Sequence, residues 1–406
     1  MSKLEELIQQ YCPDGVEYKK LGELGVFYGG LSGKTKEDFK DGNAKFISYK
    51  NVFYNLSLNI DTDERVKIEE GEKQHTIQYG DILFTGSSET PDECGMSSVL
   101  TQRTDEKLYL NSFCFGYRLH NLSQFSPDFL KHLFRSNELR KQIGKTASGT
   151  TRFNVSKKRF AEVSIPILPL PVQEEIARIL DNLAELQAEL QAELQAELQK
   201  RLQQYEYYRD KLLSFSDLSN WGGQEVSVEW KKLGEITTIL RGKRLTKSQL
   251  SNDKPYAVYH GGLEPLGYYE SANRTANTTM IINVGASAGT IGYSKEDFWS
   301  SDGCYCVEHS KSFDDRYIYY VLQTQEQQLK SKVRVAGIPT LDRPVVEDLL
   351  IPIPPLAEQQ RIVDILDKFY TLTTDLTAGL PAEIEARRKQ YEYYRDQLLT
   401  FKQKAS

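Results

Sequence analysis

The amino-acid sequence predicts an α+β fold in which a mixed α/β domain followed by a long helix occurs twice. Three observations indicate this fold: a duplicated opening segment, a duplicated helical segment, and dissimilar strand-like stretches between them. Self-similarity at this scale is typical of an architecture built from repeated units. A chain of 406 residues has room for roughly two to four such units.

The opening segment of each half is nearly the same. Residues 16–23 (VEYKKLGE) return as residues 228–235 (VEWKKLGE), 212 positions later. The tripeptide Ile-Pro-Ile at 165–167 returns at 351–353, only 186 positions later. The first half therefore holds 26 more residues between its repeated segments.

A long helical segment closes each half. In the first copy, residues 172–215, apolar side chains recur at the three- and four-residue steps of one helix face: Ile176, Ile179, Leu180, Leu183, Leu186 and Leu190. Pro169 and Pro171 lie just before it, where a helix start tolerates proline. A helix of this length would span ~66 Å, which suits a coiled coil. Residues 204–210 (QYEYYRD) return unchanged at 390–396.

The middle of the first helical segment has low complexity. Ala-Glu-Leu-Gln runs four times over residues 184–199. Because each unit advances ~400° around a helix, its leucines drift around the surface instead of forming one seam. In the second copy, Gly379 and Pro381 replace Glu193 and Gln195, which predicts a break with Pro381 opening a second helical piece.

The dissimilar inserts have a mixed pattern. Residues 80–86 (GDILFTG) and 279–285 (TMIINVG) are strand-like and end in glycine turns. Near the end of each insert, residues 127–143 and 315–332 are expected to be helical. The expected organisation is a domain at 1–167, a helical segment at 168–217, a second domain at 218–353 and a second helical segment at 354–406.

The charge is distributed unevenly. The net charge is −6, of which −4 lies in residues 172–215 and −2 in residues 358–401. The remainder is neutral overall, so it can hold a local basic face. Residues 145–159 have five bases and no acid, and residues 330–343 have four bases and one acid.

These basic clusters lie in glycine-bearing loops at matching places in both halves. Lys and Arg on such loops suit contacts with DNA phosphates, and Arg can also pair with guanine. A merely solvated loop is the alternative, which the recurrence weakens. The candidate DNA-binding residues are Lys34, Lys36, Lys145, Arg152, Lys157, Lys158, Arg159, Arg241, Lys243, Arg244, Lys247, Lys330, Lys332, Arg334 and Arg343.

Several patterns resemble catalytic sites without meeting their requirements. Residues 29–35 (GGLSGKT) resemble a phosphate-binding loop, but Tyr28 stands where the first glycine is required. Asp92 with residues 105–107 (DEK) fits a degenerate nuclease pattern in one half only, so a solvated turn is favoured. The sequence lacks the Asn/Asp-Pro-Pro-aromatic tetrapeptide of adenine methyltransferases. We therefore expect no catalytic, cofactor-binding or metal-binding residue.

The cysteines and the apolar runs bound the cellular setting. Five cysteines form no Cys-x-x-Cys pair, so a zinc site or a disulfide framework is not expected. Cys304 and Cys306 are expected to be buried on one face of a strand. No apolar run approaches the ~20 residues that a membrane span requires. The expected compartment is the cytoplasm.

The repeated segments, the Ile-Pro-Ile junctions, the pair 173–181 (QEEIARILD) and 358–367 (EQQRIVDILD), and the duplicated QYEYYRD blocks together resemble a known family. The chain is similar to the specificity subunit of type I restriction–modification systems over nearly its whole length. The tetrapeptide run also looks like the variable-length spacer of that family.

The resemblance implies two target recognition domains, each recognising half of an interrupted site in double-stranded DNA. It also implies two long helices that pair antiparallel as a spacer, and two methyltransferase subunits that dock on the helical regions. Those subunits would methylate adenine with S-adenosylmethionine, and translocase–nuclease subunits would join for cleavage. This subunit would itself hold no cofactor. The expected contacts with the methyltransferase subunits are Tyr205, Tyr208, Arg209, Tyr391, Tyr394 and Arg395.

Two departures from the family pattern remain. The break at residues 379–381 puts a straight second helix in doubt, and residues 150–156 lack the Gly-x-Pro turn found at 337–339.

Two other functions stay open at this point. One is a self-contained DNA-modifying or DNA-cleaving enzyme, and the other is a coiled-coil adaptor that does not bind DNA.

Overall fold

The computed structural model describes residues 2–215, 227–311, 313–374 and 379–404. The chain divides into two compact units: unit 1 comprises Met1–Ala192 and Glu385–Ser406, and unit 2 comprises Glu193–Ile384. Each unit joins one expected α/β domain to parts of the helical segments. The expected boundary between residues 217 and 218 lies outside the described residues.

Unit 1 contains most of the strands. Its strands are β1 (Glu17–Lys20), β2 (Gly25–Gly29), β3 (Ala44–Ile47), β4 (Arg65–Val66), β5 (Thr76–Ile77), β6 (Ile82–Thr85), β7 (Ser87–Ser88), β8 (Ser97–Val99), β9 (Leu108–Leu110), β10 (Cys114–Leu119), β11 (Ala147–Ser148), β12 (Phe153–Val155) and β13 (Ser164–Ile167). Its short helices are α1 (Lys3–Tyr11), α2 (Leu21–Leu24), α3 (Tyr49–Tyr54), α4 (Pro127–Leu133), α5 (Asn137–Gly144) and α6 (Lys157–Phe160). The long helix α7 (Leu170–Ser214) begins in this unit.

The main sheet of unit 1 is antiparallel, with strand order β2-β10-β6-β8. All four residues of β6 are buried, because its two faces contribute to two different cores. Phe84 on β6 packs against Phe115 and Phe160, with ring centroids 5.4 and 4.8 Å away. A second sheet has the order β4-β3-β9-β5. The strand expected at residues 80–86 is confirmed as β6.

Unit 2 repeats the main sheet with fewer accessory strands. Its elements are β14 (Glu229–Lys232), α8 (Leu233–Ile236), β15 (Ile239–Arg241), β16 (Tyr256–Tyr259), β17 (Gly267–Tyr269), β18 (Thr278–Ile282), β19 (Ile291–Ser294), β20 (Trp299–Ser300), β21 (Cys304–Val307), α9 (Asp315–Thr324), α10 (Glu326–Ser331), α11 (Arg343–Glu347), β22 (Leu350–Ile353) and α12 (Leu356–Thr374). Helix α13 (Leu380–Leu398) follows and continues into unit 1. The main sheet, β15-β21-β18-β19, matches β2-β10-β6-β8 strand for strand. The strand expected at residues 279–285 is confirmed as β18.

The repeated sequence segments hydrogen-bond to each other. In unit 1, β1 pairs antiparallel with β13, which contains the first Ile-Pro-Ile. In unit 2, β14 pairs in the same way with β22, which contains the second. The duplicated opening and closing segments thus form one two-stranded ribbon per unit, and each ribbon leads into a long helix.

The long helices differ between the copies as expected. Helix α7 is continuous over 45 residues, and none of Leu186, Leu190, Leu194 and Leu198 is buried. The second copy is two helices, α12 and α13, with Pro381 in the first turn of α13, so the predicted break is confirmed. In unit 2, Tyr208 of α7 stacks on Phe369 of α12, while Leu212 shares a core with Ile362. The two helices therefore run antiparallel there.

The prediction of a single helix at residues 127–143 and another at residues 315–332 was wrong in extent. Each stretch forms two short helices, α4 and α5 in unit 1 and α9 and α10 in unit 2. The first break arises because Ser136 caps α5, accepting the backbone N–H of Leu139. In the part of the chain that the structure describes, no helix is long and apolar enough to cross a bilayer.

Candidate nucleic-acid interface

A buried glutamine fixes each long helix to its α/β domain. Gln173 and Gln359 are fully buried. Their Oε1 atoms accept the backbone N–H groups of Ser126 and Asp314, at 2.9 and 2.8 Å. The Nε2 atom of each donates to the backbone carbonyl five residues earlier, at 2.6 and 2.8 Å. Because a buried amide without partners is costly, these bonds set the angle at which each helix leaves its domain.

About two turns further along the first helix, Asp181 binds the domain of unit 1. Its Oδ1 lies 2.7 Å from Nε2 of the buried His132 and 2.8 Å from Nζ of Lys131. Burial alone would raise the pKa of Asp181, but the hydrogen bonds from His132 and Lys131 outweigh it and the pKa is lowered. The carboxylate therefore stays ionised and holds α7 against α4.

Asp367 is the equivalent residue in unit 2. It accepts hydrogen bonds from Nε of Arg316, at 2.8 Å, and from the buried hydroxyl of Tyr320. The Arg316 guanidinium also lies 4.5–4.9 Å from the ring centroids of Tyr293, Tyr319, Tyr320 and Tyr370. The duplicated Ile-Leu-Asp motif thus docks a helix on a domain in both units, with different partners.

Replacing Asp367 should destabilise unit 2. The Arg316 side chain is only 10% exposed, so Asp367→Asn leaves a largely buried guanidinium without its carboxylate. Since Asp367 itself is 45% exposed, solvent screening reduces the expected loss to about 1–2 kcal/mol. Thermal unfolding measures it, with Asp364→Asn on an exposed position of α12 as the control. Equal melting temperatures for the two variants would contradict this role.

A β-hairpin projects beyond the end of β6 in unit 1. Strands β11 and β12 pair antiparallel, and β12 also pairs with β7, directly after β6. We call residues 147–155 hairpin 1. At its tip, Arg152 donates from Nε and Nη2 to the hydroxyl of Ser87 at 3.1 and 3.0 Å. Its guanidinium carbon lies 5.7 Å from the ring centroid of Phe113, a side chain that is 59% exposed.

Unit 2 has a hairpin at the same place. Residues 334–340, hairpin 2, close through paired backbone bonds between Arg334 and Thr340 at 2.8 and 3.0 Å. Thr340 also forms an antiparallel β-bridge with Val284, which lies two residues after the end of β18. Leu341 N donates to the carbonyl of Asn283 at 2.9 Å, as Val155 N does to that of Gly86 at 3.0 Å. The Gly-x-Pro turn and the loop that lacks it therefore form equivalent hairpins.

The predicted DNA-binding residues are nearly all exposed, and most cluster around these hairpins. Lys145, Arg152, Lys157, Lys158 and Arg159 lie on or beside hairpin 1. Around hairpin 2, the exposed bases are Lys330, Lys332, Arg334 and Arg343. A third group follows the end of β15: Arg241, Lys243, Arg244 and Lys247. Lys36 is exposed on a short 3-10 turn.

Some of these bases are already engaged. Nζ of Lys34 lies 2.6 Å from Glu72, and its side chain is only 8% exposed. That hydrogen bond is the main cause that lowers the pKa of Glu72 to about 2. Lys34 is therefore held by a loop contact and is poorly placed for phosphate. Arg334 pairs with Asp342 at 2.8 Å, but this pair is exposed and can exchange partners at little cost.

The tyrosine-rich blocks divide between the core and the surface. Tyr205 is 7% exposed and donates to Gln323 at 2.8 Å, so burial removes it from any partner surface. Tyr208 stacks on Phe369, and Arg209 and Arg395 are mostly covered and bind their neighbouring aspartates. Tyr391 is half-buried, and burial raises its pKa. Tyr394 is 48% exposed.

Sequence reasoning missed the most exposed tyrosines of the two QYEYYRD blocks. Tyr207 and Tyr393, at matching positions, are each 60% exposed. The prediction selected the neighbouring tyrosines because it followed the apolar periodicity of the helix. That periodicity indicates the face that packs against other elements, not the exposed face. Sequence reasoning also missed the exposed apolar side chains at the tip of hairpin 2. The sequence feature that could have indicated them is a pair of apolar residues inside a basic, glycine-containing loop.

The glycine-rich loop at residues 29–35 differs in structure from the phosphate-binding loop that its sequence resembles. The loop that resembles a phosphate-binding site leads into a four-residue 3-10 turn capped by Thr35, not into a helix. Within the described ranges, no group of three His, Cys, Asp or Glu side chains is arranged to hold a metal ion. All five cysteines are free and buried, including Cys304 and Cys306.

Comparison with known proteins identifies the family. The family model "Type I restriction modification DNA specificity domain" matches residues 13–200 and 225–386. The chain belongs to this family. The two matched segments are the two halves found in the sequence, so the specificity domain occurs twice here.

Curated type I specificity subunits are similar over part of their length. The chain is 34% identical over 258 residues to the Escherichia coli EcoR124I/EcoR124II specificity subunit, covering 58% of this chain and 61% of that protein. It is 30% identical over 206 residues to the Mycoplasma pneumoniae MpnII specificity subunit, covering 50% of this chain and 62% of that protein. Both alignments span less than two thirds of the relative.

Solved structures of type I systems share the fold. A chain from a structure describing complex assembly and conformational transition of the type I R–M system matches with a TM-score of 0.67 at 18% identity. That match covers 95% of this chain and 98% of the other. The HsdS subunit of Thermoanaerobacter tengcongensis matches with a TM-score of 0.53 at 17% identity, covering 96% of each chain.

Proposed function

We propose that this protein is the DNA-recognition subunit of a type I restriction–modification complex, in which each α/β domain recognises half of a bipartite duplex target. The observation that carries the proposal is the pair of equivalent hairpins on a duplicated scaffold, with dissimilar residues at their tips. A repeated scaffold with divergent tips suits two different half-sites held at a fixed separation. Residues 1–167 and 218–353 act as the two target recognition domains, and residues 168–217 and 354–406 as the spacer between them.

The exposed bases around the hairpins supply the phosphate contacts. Lys157, Lys158 and Arg159 flank hairpin 1, and Lys332 flanks hairpin 2. Such contacts fix the register of a protein on DNA without specifying a sequence. The acidic charge of the chain lies in the helical segments, which leaves the loops of both domains free to attract DNA.

The duplicated helical blocks bind two identical methyltransferase subunits. The exposed Tyr207, Tyr393 and Tyr394 offer aromatic surface of the kind that protein interfaces favour. The bound subunits methylate adenine with S-adenosylmethionine, and restriction subunits join the same assembly. This chain positions those subunits and contributes no catalytic residue or cofactor. Such an assembly acts on DNA in the cytoplasm.

A binding measurement on the assembled methyltransferase tests this function. We expect tight binding to a duplex that carries both halves of the methylated motif, and a large loss when either half is scrambled. Binding that does not depend on either half-site would contradict the proposal and favour an adaptor. Robust methylation or cleavage by the purified chain alone, with magnesium and S-adenosylmethionine, would contradict its non-catalytic part.

A further inference from the structure

The tips of hairpin 1 and hairpin 2 present opposite chemistry from equivalent positions. The 186-residue offset that relates the two Ile-Pro-Ile segments also relates Val155 to Leu341, which make the same anchoring bond. At that offset Arg152 of hairpin 1 corresponds to Ile338 of hairpin 2. One domain therefore presents a guanidinium where the other presents an aliphatic side chain.

The apolar tip of hairpin 2 is unusually open. Val335 is 80% exposed and Ile338 is 70% exposed, the highest values among the large apolar side chains of unit 2 that the structure describes. Leaving both in water forgoes the burial energy that such side chains normally gain. Among the described residues, neither side chain belongs to a hydrophobic core of unit 2 or packs against one, so core packing does not explain their presence.

The backbone holds these side chains in place. The paired bonds between Arg334 and Thr340 close the hairpin, and Gly285 N donates to the carbonyl of Pro339 at 2.9 Å. Gly337 adopts a φ of +85°, a turn conformation that favours glycine. The tip is thus a short, braced projection with aliphatic groups at its end.

The surroundings of the tip are cationic. Lys332 is exposed beside the hairpin, and Arg334 and Lys330 are exposed in ion pairs that can exchange. An aliphatic tip among cations suits a duplex groove, where phosphates flank the base edges. In the major groove, the one aliphatic group that an unmodified base pair offers is the C5-methyl of thymine.

We propose that Val335 and Ile338 contact thymine C5-methyl groups in the half-site that unit 2 recognises. This inference rests on the proposed DNA-recognition function and adds the residues and the chemistry of one half-site. The contrast with hairpin 1 supports it. Arg152 spends two of its five N–H donors on Ser87 and lies over Phe113, which orients the remaining donors for a polar base edge such as that of guanine.

The test pairs a protein change with a single-methyl change in the DNA. Each thymine of the unit 2 half-site is replaced in turn by deoxyuridine, which removes only the methyl group. For the assembled complex with the unchanged chain, we expect about a fourfold loss of affinity at one or two positions, from the burial energy of one methyl. With the variant Val335→Ser/Ile338→Ser, the same replacement should cause no further loss. Leu350→Ser, which alters another exposed apolar side chain of unit 2, should keep the deoxyuridine effect.

Three outcomes would overturn the inference. One is a deoxyuridine effect that persists unchanged in the double variant. Another is the absence of any deoxyuridine effect in the half-site. The third is a rise in 2-aminopurine fluorescence that depends on the two residues, which would indicate a wedge between base pairs. All three outcomes are measured on a complex whose unchanged form binds its target selectively. If the proposed function itself were wrong, the unchanged complex would show no selectivity for either half-site, which is a different result.

Discussion

Deleting one Ala-Glu-Leu-Gln unit from α7 is expected to shorten the unspecified spacer of the methylated motif and leave both half-sites unchanged. One unit contributes ~6 Å of helix, which is about one to two base pairs of rise. Helix α7 is continuous through residues 184–199, so removing one unit shortens the helix without requiring a new break. None of the four leucines of the run is buried, so the change should cost little stability.

Sequencing of modified bases in cells that express the variant with its methyltransferase subunits measures this effect. Leu194→Ala is the control, because it alters the same run at constant length and should preserve the spacer. A deletion that changed either half-site, or that left the spacer unchanged, would show that α7 does not set the separation.

Replacing Lys157, Lys158 and Arg159 together by alanine should weaken DNA binding by about tenfold to a hundredfold, to a similar extent on every sequence. These side chains are exposed on α6 beside hairpin 1 and belong to no ion pair among the described residues. If each contacts one phosphate, the slope of log affinity against log salt should fall by about three. The helix itself should persist, because Ser156 still caps it and Phe160 still anchors it in the core.

A titration of affinity against salt concentration tests this prediction. The matched control replaces Arg387, Arg388 and Lys389 of α13, which changes the net charge by the same amount at a site outside the proposed DNA surface. The control should keep the salt slope. Equal slopes for both variants would mean that only overall charge matters, which would remove hairpin 1 from the proposed interface.

The sequence was sufficient for the architecture because the informative residues are duplicated. The pairing of the opening segment with Ile-Pro-Ile and the docking by Gln173 and Asp181 involve residues that recur in both halves, and each of these roles appears twice in the structure. The break at Pro381 has no counterpart in α7, and it was predictable because proline interrupts a helix. The helical period located α7 within two residues at its first end, because a long amphipathic helix gives a strong periodic signal.

The details of the site depend on distant contacts that periodicity cannot supply. Tyr205 was expected at a partner surface, but Gln323 and Tyr320, more than a hundred residues away, cover it. Lys34 was predicted to contact DNA, but in the structure it forms an ion pair with Glu72, which is distant in the sequence. The two hairpins could not be predicted from the sequence for the same reason. Each loop forms a projecting hairpin only because it hydrogen-bonds to the end of a strand that is distant in the sequence.

Exchange of one domain tests the central claim most directly. Residues 218–353 would be replaced by the equivalent residues of another specificity subunit, and the methylated motif of the assembled enzyme would be sequenced. We expect the half-site assigned to unit 2 to change to that of the donor, while the other half-site stays the same. A motif in which both half-sites change, or neither does, would contradict the claim that each domain recognises one half of the target.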